Sequence, residues 1–477
     1  MSTTTFVKEI ADIKADFPQW YTDVIIKTKL ADYGPVKGTM VIRPYGYAIW
    51  ENIQKGLDLR FKATGHVNAY FPLLIPESFL RREAEHVEGF APECATVTHI
   101  GKEPLTEPLI IRPTSETVIC EMYSKWVQSW RDLPVKYNQW ANVVRWEKTT
   151  RPFLRTSEFL WQEGHTAHAT AGEAQVETIE MLGVYEEFCR NALAIPVITG
   201  RKSEKEKFAG AVATYSIEAM MLDGKSLQAG TTHFLGENFA RAFGIKFLDK
   251  DNTLKYVNQS SWGVSTRLIG ALVMVHGDER GLRLPPEVAP YQAVIIPVAT
   301  HKEGVSEAAR ALEQKLQKAG VRVLLDGRDM SPGWKFNEWE MNGVPVRAEV
   351  GPRDLESGNI TLMRRDTLEK ITVPLAGAHK EIPRLLKNVQ KNMFSQAAAL
   401  LKSNIVTARS LKKLEEAVNN KKFALAMWCG DPACEAAVKE RYQATSRNMP
   451  FDQTPIADKC VVCGKEAKYK IYFARAY

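Results

Sequence analysis

The stretch Arg145-Trp146-Glu147, followed by the loop Thr149-Thr150-Arg151-Pro152 and then by FLRTSEFLWQEGH at 153–165, decides how this chain is read. Arg-x-Glu alone is a common surface pair. Here a second arginine, Arg155, and an aromatic, Phe159, follow at short range, and the whole lies between two β-like stretches. Two guanidinium forks can hold triphosphate oxygens, a phenyl ring can stack on adenine, and a carboxylate can accept from the adenine amino group. The next run packs Trp161, Gln162, Glu163 and His165 into five positions. These are the parts of a nucleotide site with a polar neighbour.

Working outward, three further clusters carry chemistry. Upstream lies Arg112-Pro113-Thr114-Ser115-Glu116-Thr117. It reads as a helix start, with Thr114 or Ser115 as cap and Glu116 in the first turn, and a hydroxyl and carboxylate placed there can also grip an amine. Downstream, Gln228-Ala-Gly-Thr-Thr-His233 ends at Phe-Leu-Gly236. Its glycines at 230 and 236 are expected to permit close backbone approach to a ligand. Beyond it, Ser260-Ser-Trp-Gly-Val-Ser-Thr-Arg267 reads as a strand leading into a buried helix, with Arg267 at the junction. An arginine at a helix N-terminus has the form of an anion site.

Four of the seven cysteines fall in the last 49 residues. Cys429 and Cys434 have four residues between them, and Cys460 and Cys463 have two. Two close pairs can give four thiolates to one tetrahedral Zn²⁺, and a closed four-thiolate site has no open position for catalysis. Free or buried thiols are the plainer alternative. Cys94, Cys120 and Cys189 are scattered, so a disulfide framework is not expected.

The 477 residues suggest about three domains. With 25% charged and 45% hydrophobic residues, wholesale disorder and fibrous classes are excluded. No apolar run approaches the ~18 residues of a membrane span. The start, MSTTTFVKEIADIKADF, has no basic-then-apolar signal pattern, so a cytoplasmic location is expected. A net charge of +7 permits a polyanionic partner without demanding one. Ile49, Trp50, Ile53, Leu57 and Phe61 predict a helix stopped near Gly65, and Val67 to Ile75 predicts a strand interrupted by Pro72. Glu173 to Leu193 predicts a helix with Val176, Ile179, Leu182 and Tyr185 on one side. Pro285, Pro286 and Pro290 predict a linker. After it comes a β-α-β-α-β-β rhythm, with the first helix burying Ala308, Leu312 and Leu316, which suggests a small mixed-sheet α/β domain. A helical stretch from about Lys380 then leads to the cysteines.

Together these segments resemble the prolyl-tRNA synthetase family of class II aminoacyl-tRNA synthetases. The resemblance spans essentially the whole chain. The helix and strand ending near Pro72 look like motif 1, the Arg145–Phe159 stretch like motif 2, and Ser261–Arg267 with its helix like motif 3. RPTSET at 112–117, FLRTSEFLWQEGH and QAGTTHFLG at 228–236 look prolyl-specific. Only about 100 residues separate motifs 2 and 3, too few for the large editing insertion of the bacterial-type enzyme. That spacing, the four cysteines and terminal Tyr477 are similar to the archaeal/eukaryotic type.

The family implies an α+β catalytic domain with an antiparallel sheet at 1–285, an α/β anticodon-binding domain at 286–390 and a zinc-binding α/β domain at 391–477. It implies activation of L-proline with ATP and Mg²⁺, transfer to tRNA(Pro), structural Zn²⁺ on Cys429, Cys434, Cys460 and Cys463, and a homodimer. Arg145 is expected on the α-phosphate and substrate carboxylate, with Arg267 as its catalytic companion. Glu147, Arg155, Phe159, Gln228, Thr231, Ser265 and Arg267 are expected around ATP and Mg²⁺. Thr114 and Glu116 are expected on the proline ammonium, with Trp161, Glu163, His165, His233, Ser261 and Gly263 around the ring. Glu163 is expected to assist Gln228 at Mg²⁺. Phe336, Glu340, Arg347 and Arg353 are expected to face the anticodon. The Tyr477 carboxylate resembles one that folds back toward the active site. Three rival readings remain: a catalytically dead paralogue, a zinc-dependent nucleic-acid-binding module, and threonyl or seryl specificity on the same core.

Overall fold

The computed structural model describes residues 10–82 and 94–477. Helix α1, Pro44–Ala63, opens with proline at its first turn, where no intrahelical donor is lost. Its predicted stripe is the buried one: Ile49, Trp50, Ile53, Leu57 and Phe61. This stripe covers one face of a sheet whose strands are β1 (Val67–Asn68), β2 (Val135–Val144), β3 (Glu158–His168), β4 (Val197–Arg201), β5 (Ala213–Met220), β6 (Ser226–Gly236) and β7 (Asn258–Ser265). Their order is β4-β5-β6-β7-β3-β2-β1. Neighbours are antiparallel except β1 beside β2.

Helix–sheet packing centres on Trp262, which meets Phe61 at 4.9 Å and Tyr185 at 6.3 Å between ring centroids. Gly164 on β3 is required there, because a Cβ would stand 2.0 Å from the Trp262 ring. Tyr185 comes from helix α2, Ala171–Asn191, which begins with a Thr170–Glu173 capping box. Helix α3, Arg267–His276, follows β7 after a single residue, with 268–276 buried.

Three local expectations change. Val67 to Ile75 is not one interrupted strand, since Val67–Asn68 and Leu74–Pro76 belong to different sheets on either side of Pro72. On α2, Val176 is 68% exposed and Glu177 faces inward instead, held by Lys136 at 2.6 Å and His66 at 2.9 Å. The proline-rich segment lacks helix and strand, but it is no loose tether: Leu284, Val288 and Ala289 are buried in the main core.

The next unit is a mixed sheet of β8 (Ala293–Pro297), β9 (Val323–Leu325), β10 (Val346–Val350), β11 (Asn359–Arg364) and β12 (Lys370–Pro374), ordered β9-β8-β10-β11-β12. Val305–Lys318 buries Val305, Ala309, Leu312 and Leu316, so Ala309 takes the inward place expected of Ala308. Helix α4, Ala378–Ser403, runs from this unit into the last one without a break. There β13 (Ile405–Ala408), β14 (Phe423–Trp428), β15 (Thr445–Ser446) and β17 (Tyr469–Ala474) form a four-stranded sheet. Between the last two, β16 (Met449–Pro450) leaves that sheet and pairs with β4, adding an eighth strand to the first sheet.

Candidate active site and cysteine cluster

Side chains alternate along a strand, so residues two apart share a face. On β3 this puts Trp161, Glu163 and His165 together. Cross-strand register extends each into a rung: His165 pairs with Ser261 and Ser261 with His233, while Glu163 pairs with Gly263 and Gly263 with Thr231. These rungs floor a cavity of about 260 Å³. Thr114, Glu116, Arg145, Trp161 and Gln228 also line it, so every residue expected around proline reaches one place.

Glu163 is buried and has three donors. Ser115 Oγ gives a hydrogen bond at 2.5 Å, Gln139 Nε2 one at 2.6 Å, and His165 Nε2 lies at 2.8 Å. Burial alone would raise its carboxyl, but His165, Ser115 and Gln139 together hold it below the ordinary carboxylate value. Burial pulls the other way on His165, and the charges of Glu163 and Glu116 raise it regardless. His233 is the opposite case: burial, with His165 and Arg145 nearby, lowers it to about 4 despite Glu116. Its Nδ1 lies 3.0 Å from Thr214 Oγ1, and its ring lies 4.5 Å from that of Phe208. The cavity therefore pairs one histidine that holds its proton more tightly than usual with one that releases it more readily. Thr114 Oγ1 donates to Glu116 Oε2. Trp161 Nε1 and Ser261 Oγ are buried with no hydrogen-bond partner among the described residues, in side chains that line the cavity.

Arg145 also lines an adjoining hollow with Glu147, Arg155, Phe159, Ser265 and Arg267. Its Nε donates to Pro113 O at 2.9 Å, and its guanidinium carbon stands 5.5 Å from the Phe159 ring and 5.4 Å from the Trp161 ring. Arg267 donates to Leu154 O at 3.2 Å and Gln228 O at 3.3 Å. Burial, reinforced by Arg155 and Arg145, lowers it to about 10. Three guanidinium groups crowd one hollow, with Glu147 3.5 Å from Arg155. Such a concentration of positive charge suits a polyanion.

Two sequence expectations need correcting. Ser115 does occupy the N-cap of Glu116–Trp126, but it makes no capping bond, because its hydroxyl serves Glu163. Gly230 does not make room for a ligand; a Cβ there would meet Val264 at 2.7 Å and Ile217 at 3.4 Å, so its bareness serves packing under the sheet. The sequence reading also missed cavity residues. Lys202, Glu206, Lys207, Phe208 and Thr214 complete the wall. In sequence the run RKSEKEKFAG at 201–210 looks like an ordinary solvated charge cluster. Gln139 was missed too, though it sits opposite Glu163 in register.

The ligand sulfurs of Cys429, Cys434, Cys460 and Cys463 all lie within 4.8 Å of one another. The Cys429–Cys434 and Cys429–Cys463 sulfur separations are each 3.7 Å. Tetrahedral Zn²⁺ with bonds of about 2.3 Å requires sulfurs about 3.8 Å apart, so the donor set fits that ion. A disulfide, at about 2.05 Å, is excluded for these pairs.

In the second unit, Phe336 and Glu340 lie on Pro332–Met341, and Arg347 lies on β10. Arg347 stacks 4.2 Å from the Phe336 ring centroid, 3.9 Å from Glu340 and 2.7 Å from Glu349. Arg353 is exposed on the separate helix Pro352–Ser357. Tyr477 is not frayed. Its N–H donates to Ser226 O at 3.1 Å, its hydroxyl to Asp223 at 2.7 Å, and Lys225 stands 4.5 Å over its ring.

Known proteins agree with this assembly. Residues 98–276 match the family described as tRNA synthetase class II core domain (G, H, P, S and T), residues 292–385 the anticodon binding domain, and residues 411–477 the C-terminal family of prolyl-tRNA synthetase. A proline--tRNA ligase of Clostridium novyi is 58% identical over 473 residues, covering 99% of each chain. One of Alkaliphilus oremlandii is 59% identical over 474 residues, 99% of this chain and 98% of the relative. A protein of Bacillus cereus named proline--tRNA ligase 2 is 55% identical over 472 residues, 99% of each. With relatives this similar along its whole length, the chain belongs to the prolyl-tRNA synthetase family of class II synthetases.

Proposed function

We propose that this chain joins L-proline to ATP as prolyl-adenylate, with release of pyrophosphate, and then transfers proline to the 3′-end of tRNA(Pro). One observation carries the reading: Arg145 lines both the amino-acid cavity and the arginine-rich hollow beside it. A group in that position can hold the proline carboxylate against the α-phosphorus. The carboxylate oxygen attacks there, and the bond to the bridging oxygen of pyrophosphate breaks. Little covalent work falls to the protein; holding two anions in line and spreading their charge is its contribution. Arg145 and Arg267 take the catalytic roles. Phe159 stacks on adenine, Glu147 accepts from its amino group, Arg155 and Arg267 bind the outer phosphates, and Thr231 and Ser265 complete the nucleotide side.

On the other side, Glu116 with Thr114 accepts the two N–H groups of the proline ammonium. Trp161, His165 and neutral His233 surround the ring, with Ser261 and Gly263 beneath. Glu163, already served by three donors, acts through His165 and Ser115. Gln228 with the nucleotide's own oxygens suits Mg²⁺, which retains several waters and supplies positive charge to the triphosphate. A terminal ribose hydroxyl of tRNA then attacks the adenylate carbonyl. In the second unit, Phe336, Glu340, Arg347 and Arg353 are assigned to the anticodon.

The finer reading goes with this. The division is a catalytic unit at 1–285, an anticodon unit at 286–390 and a metal-binding unit at 391–477, with α4 shared between the last two. Zn²⁺ on the four cysteines is structural. The chain works in the cytoplasm, and no described helix is long and apolar enough to cross a membrane. A homodimer is supported by β1, the last strand of its sheet among the described residues, where Val67 is exposed, and by the exposed Tyr70 and Leu74 that follow it in the chain. The archaeal/eukaryotic type is supported by the span between β3 and β7, which is filled by α2, β4 to β6, the short helix Asn238–Phe243 and the hairpin of Lys246–Leu248 with Leu254–Tyr256.

Without an insertion, misacylated tRNA should persist. A proline pocket cannot strongly reject alanine, because missing methylenes cost only about 1–3 kcal/mol. Incubating tRNA(Pro) with labelled proline or alanine checks both points. Proline is expected to charge efficiently, and alanyl-tRNA formed in trace should decay no faster with enzyme than without it. Failure to charge with proline contradicts the function, and rapid alanyl-tRNA hydrolysis contradicts the absence of editing.

A further inference from the structure

A lysine just past the end of β4 and a glutamate of β5 meet an arginine of the C-terminal unit beside the amino-acid cavity. Lys202 lines that cavity and is buried. Its Nζ donates to Glu218 Oε1 at 3.3 Å and to the main-chain oxygen of Arg447 at 3.0 Å. Glu218 is fully buried. Its Oε2 accepts from Arg447 Nε at 3.1 Å, Arg447 Nη2 at 2.9 Å and Ser226 Oγ at 2.7 Å, and its Oε1 also accepts from Ser216 Oγ at 3.0 Å. Burial would raise this carboxyl, but Lys202 and Arg447 bring it down to about 2.

The same unit grips the same segment at two more points. Asn448 Nδ2 donates to Ile198 O at 3.0 Å, and Ser203 Oγ donates to Glu435 Oε1 at 2.8 Å. Residues 198–203 are the root of the segment that carries Phe208 onto the His233 ring. Phe208 N also donates to Thr214 Oγ1 at 2.9 Å, the group that faces His233 Nδ1. Contacts from the C-terminal unit thus run without a gap to a wall of the cavity. Removing Arg447 would leave Glu218 buried with one cation in place of two, and Lys202 would be drawn off its present line to compensate.

We propose that Arg447 is a positioning residue for the amino-acid site: by fixing Glu218 and Lys202 it holds the root of 203–210, so that Phe208 stays seated on His233 and the cavity keeps the shape that fits proline. This rests on reading that cavity as the proline site.

The test is ATP–pyrophosphate exchange with Arg447→Met and Arg447→Lys in the full chain. KM for proline is expected to rise about tenfold in Arg447→Met, the loss of one charge-assisted pair's worth of order, while KM for ATP stays at its wild-type value. Arg447→Lys should recover part of this, whereas Glu218→Gln placed in the Arg447→Met chain should recover nothing, because it leaves Lys202 buried without its carboxylate. A purely structural role would lower the melting temperature and leave KM for proline unmoved in the folded fraction, which overturns the proposal. If Arg447→Met does not fold, Ser203→Ala removes the Ser203 Oγ contacts to Glu435 and Ser446 and leaves Arg447 in place; a rise in KM confined to proline supports the role, and an unchanged KM overturns it. No proline-dependent exchange in the wild-type chain would overturn the site reading and this role together; normal wild-type exchange with unmoved variants would overturn the role alone.

Discussion

Arg145→Ala should lower proline-dependent ATP–pyrophosphate exchange by about a thousandfold or more, the range seen when a preorganised donor to a developing or transferred anion is removed. The reason is positional. This guanidinium stands 5.5 Å from the Phe159 ring and 5.4 Å from the Trp161 ring, and its Nε donates to Pro113 O. Alanine removes the one side chain among the proposed site residues that lines both hollows. Arg145→Lys should recover little, because an ammonium cannot bridge two anions with a planar fork. Arg267→Ala should act in the same direction with weaker ATP binding. Stability should change little, about 1 kcal/mol for the Pro113 hydrogen bond, so melting curves separate lost chemistry from lost folding. Near-normal exchange in Arg145→Ala would refute the assignment.

The second large effect concerns the cysteines. Cys434→Ala should abolish tight Zn²⁺ binding and unfold the C-terminal unit at temperatures where the parent chain is intact. Structural zinc contributes about 10–16 kcal/mol of apparent binding energy in small domains, and that binding energy is folding energy. Cys434 and Cys460 are buried in the same small core as Trp428, Val438 and Phe473, so losing the metal leaves sulfurs crowded at 3.7 Å with nothing to hold them. Metal content by mass spectrometry and Trp fluorescence during chelation check this. A chain that keeps its melting profile and fluorescence with the metal stripped would contradict it.

Where a residue's chemistry is also its local pattern, the sequence was enough. The cysteine spacing, the helical stripe of α1 and the grouping of Arg145, Glu147, Arg155 and Phe159 could be read directly, because each depends on neighbours a few positions away. The rungs that gather His165, Ser261 and His233 could not, because register joins strands almost 100 residues apart. Period-two spacing of Trp161, Glu163 and His165 was the available clue to a shared face. Lys202 and Phe208 left no such clue. A charged run with one aromatic looks solvated until a second part of the chain buries it, and for Lys202 that part is Arg447, 245 residues away. Ser115 shows the same limit in miniature: its sequence position predicts a helix cap, yet a buried carboxylate 48 residues on competes successfully for its hydroxyl.

The most direct measurement is ATP–pyrophosphate exchange without tRNA, run across all the standard amino acids. Strong exchange with proline and weaker exchange with alanine or cysteine is the result this account predicts. Exchange led by another amino acid would keep the class II chemistry and contradict the pocket. No exchange with any amino acid, from folded and zinc-loaded protein, would contradict the catalytic reading itself.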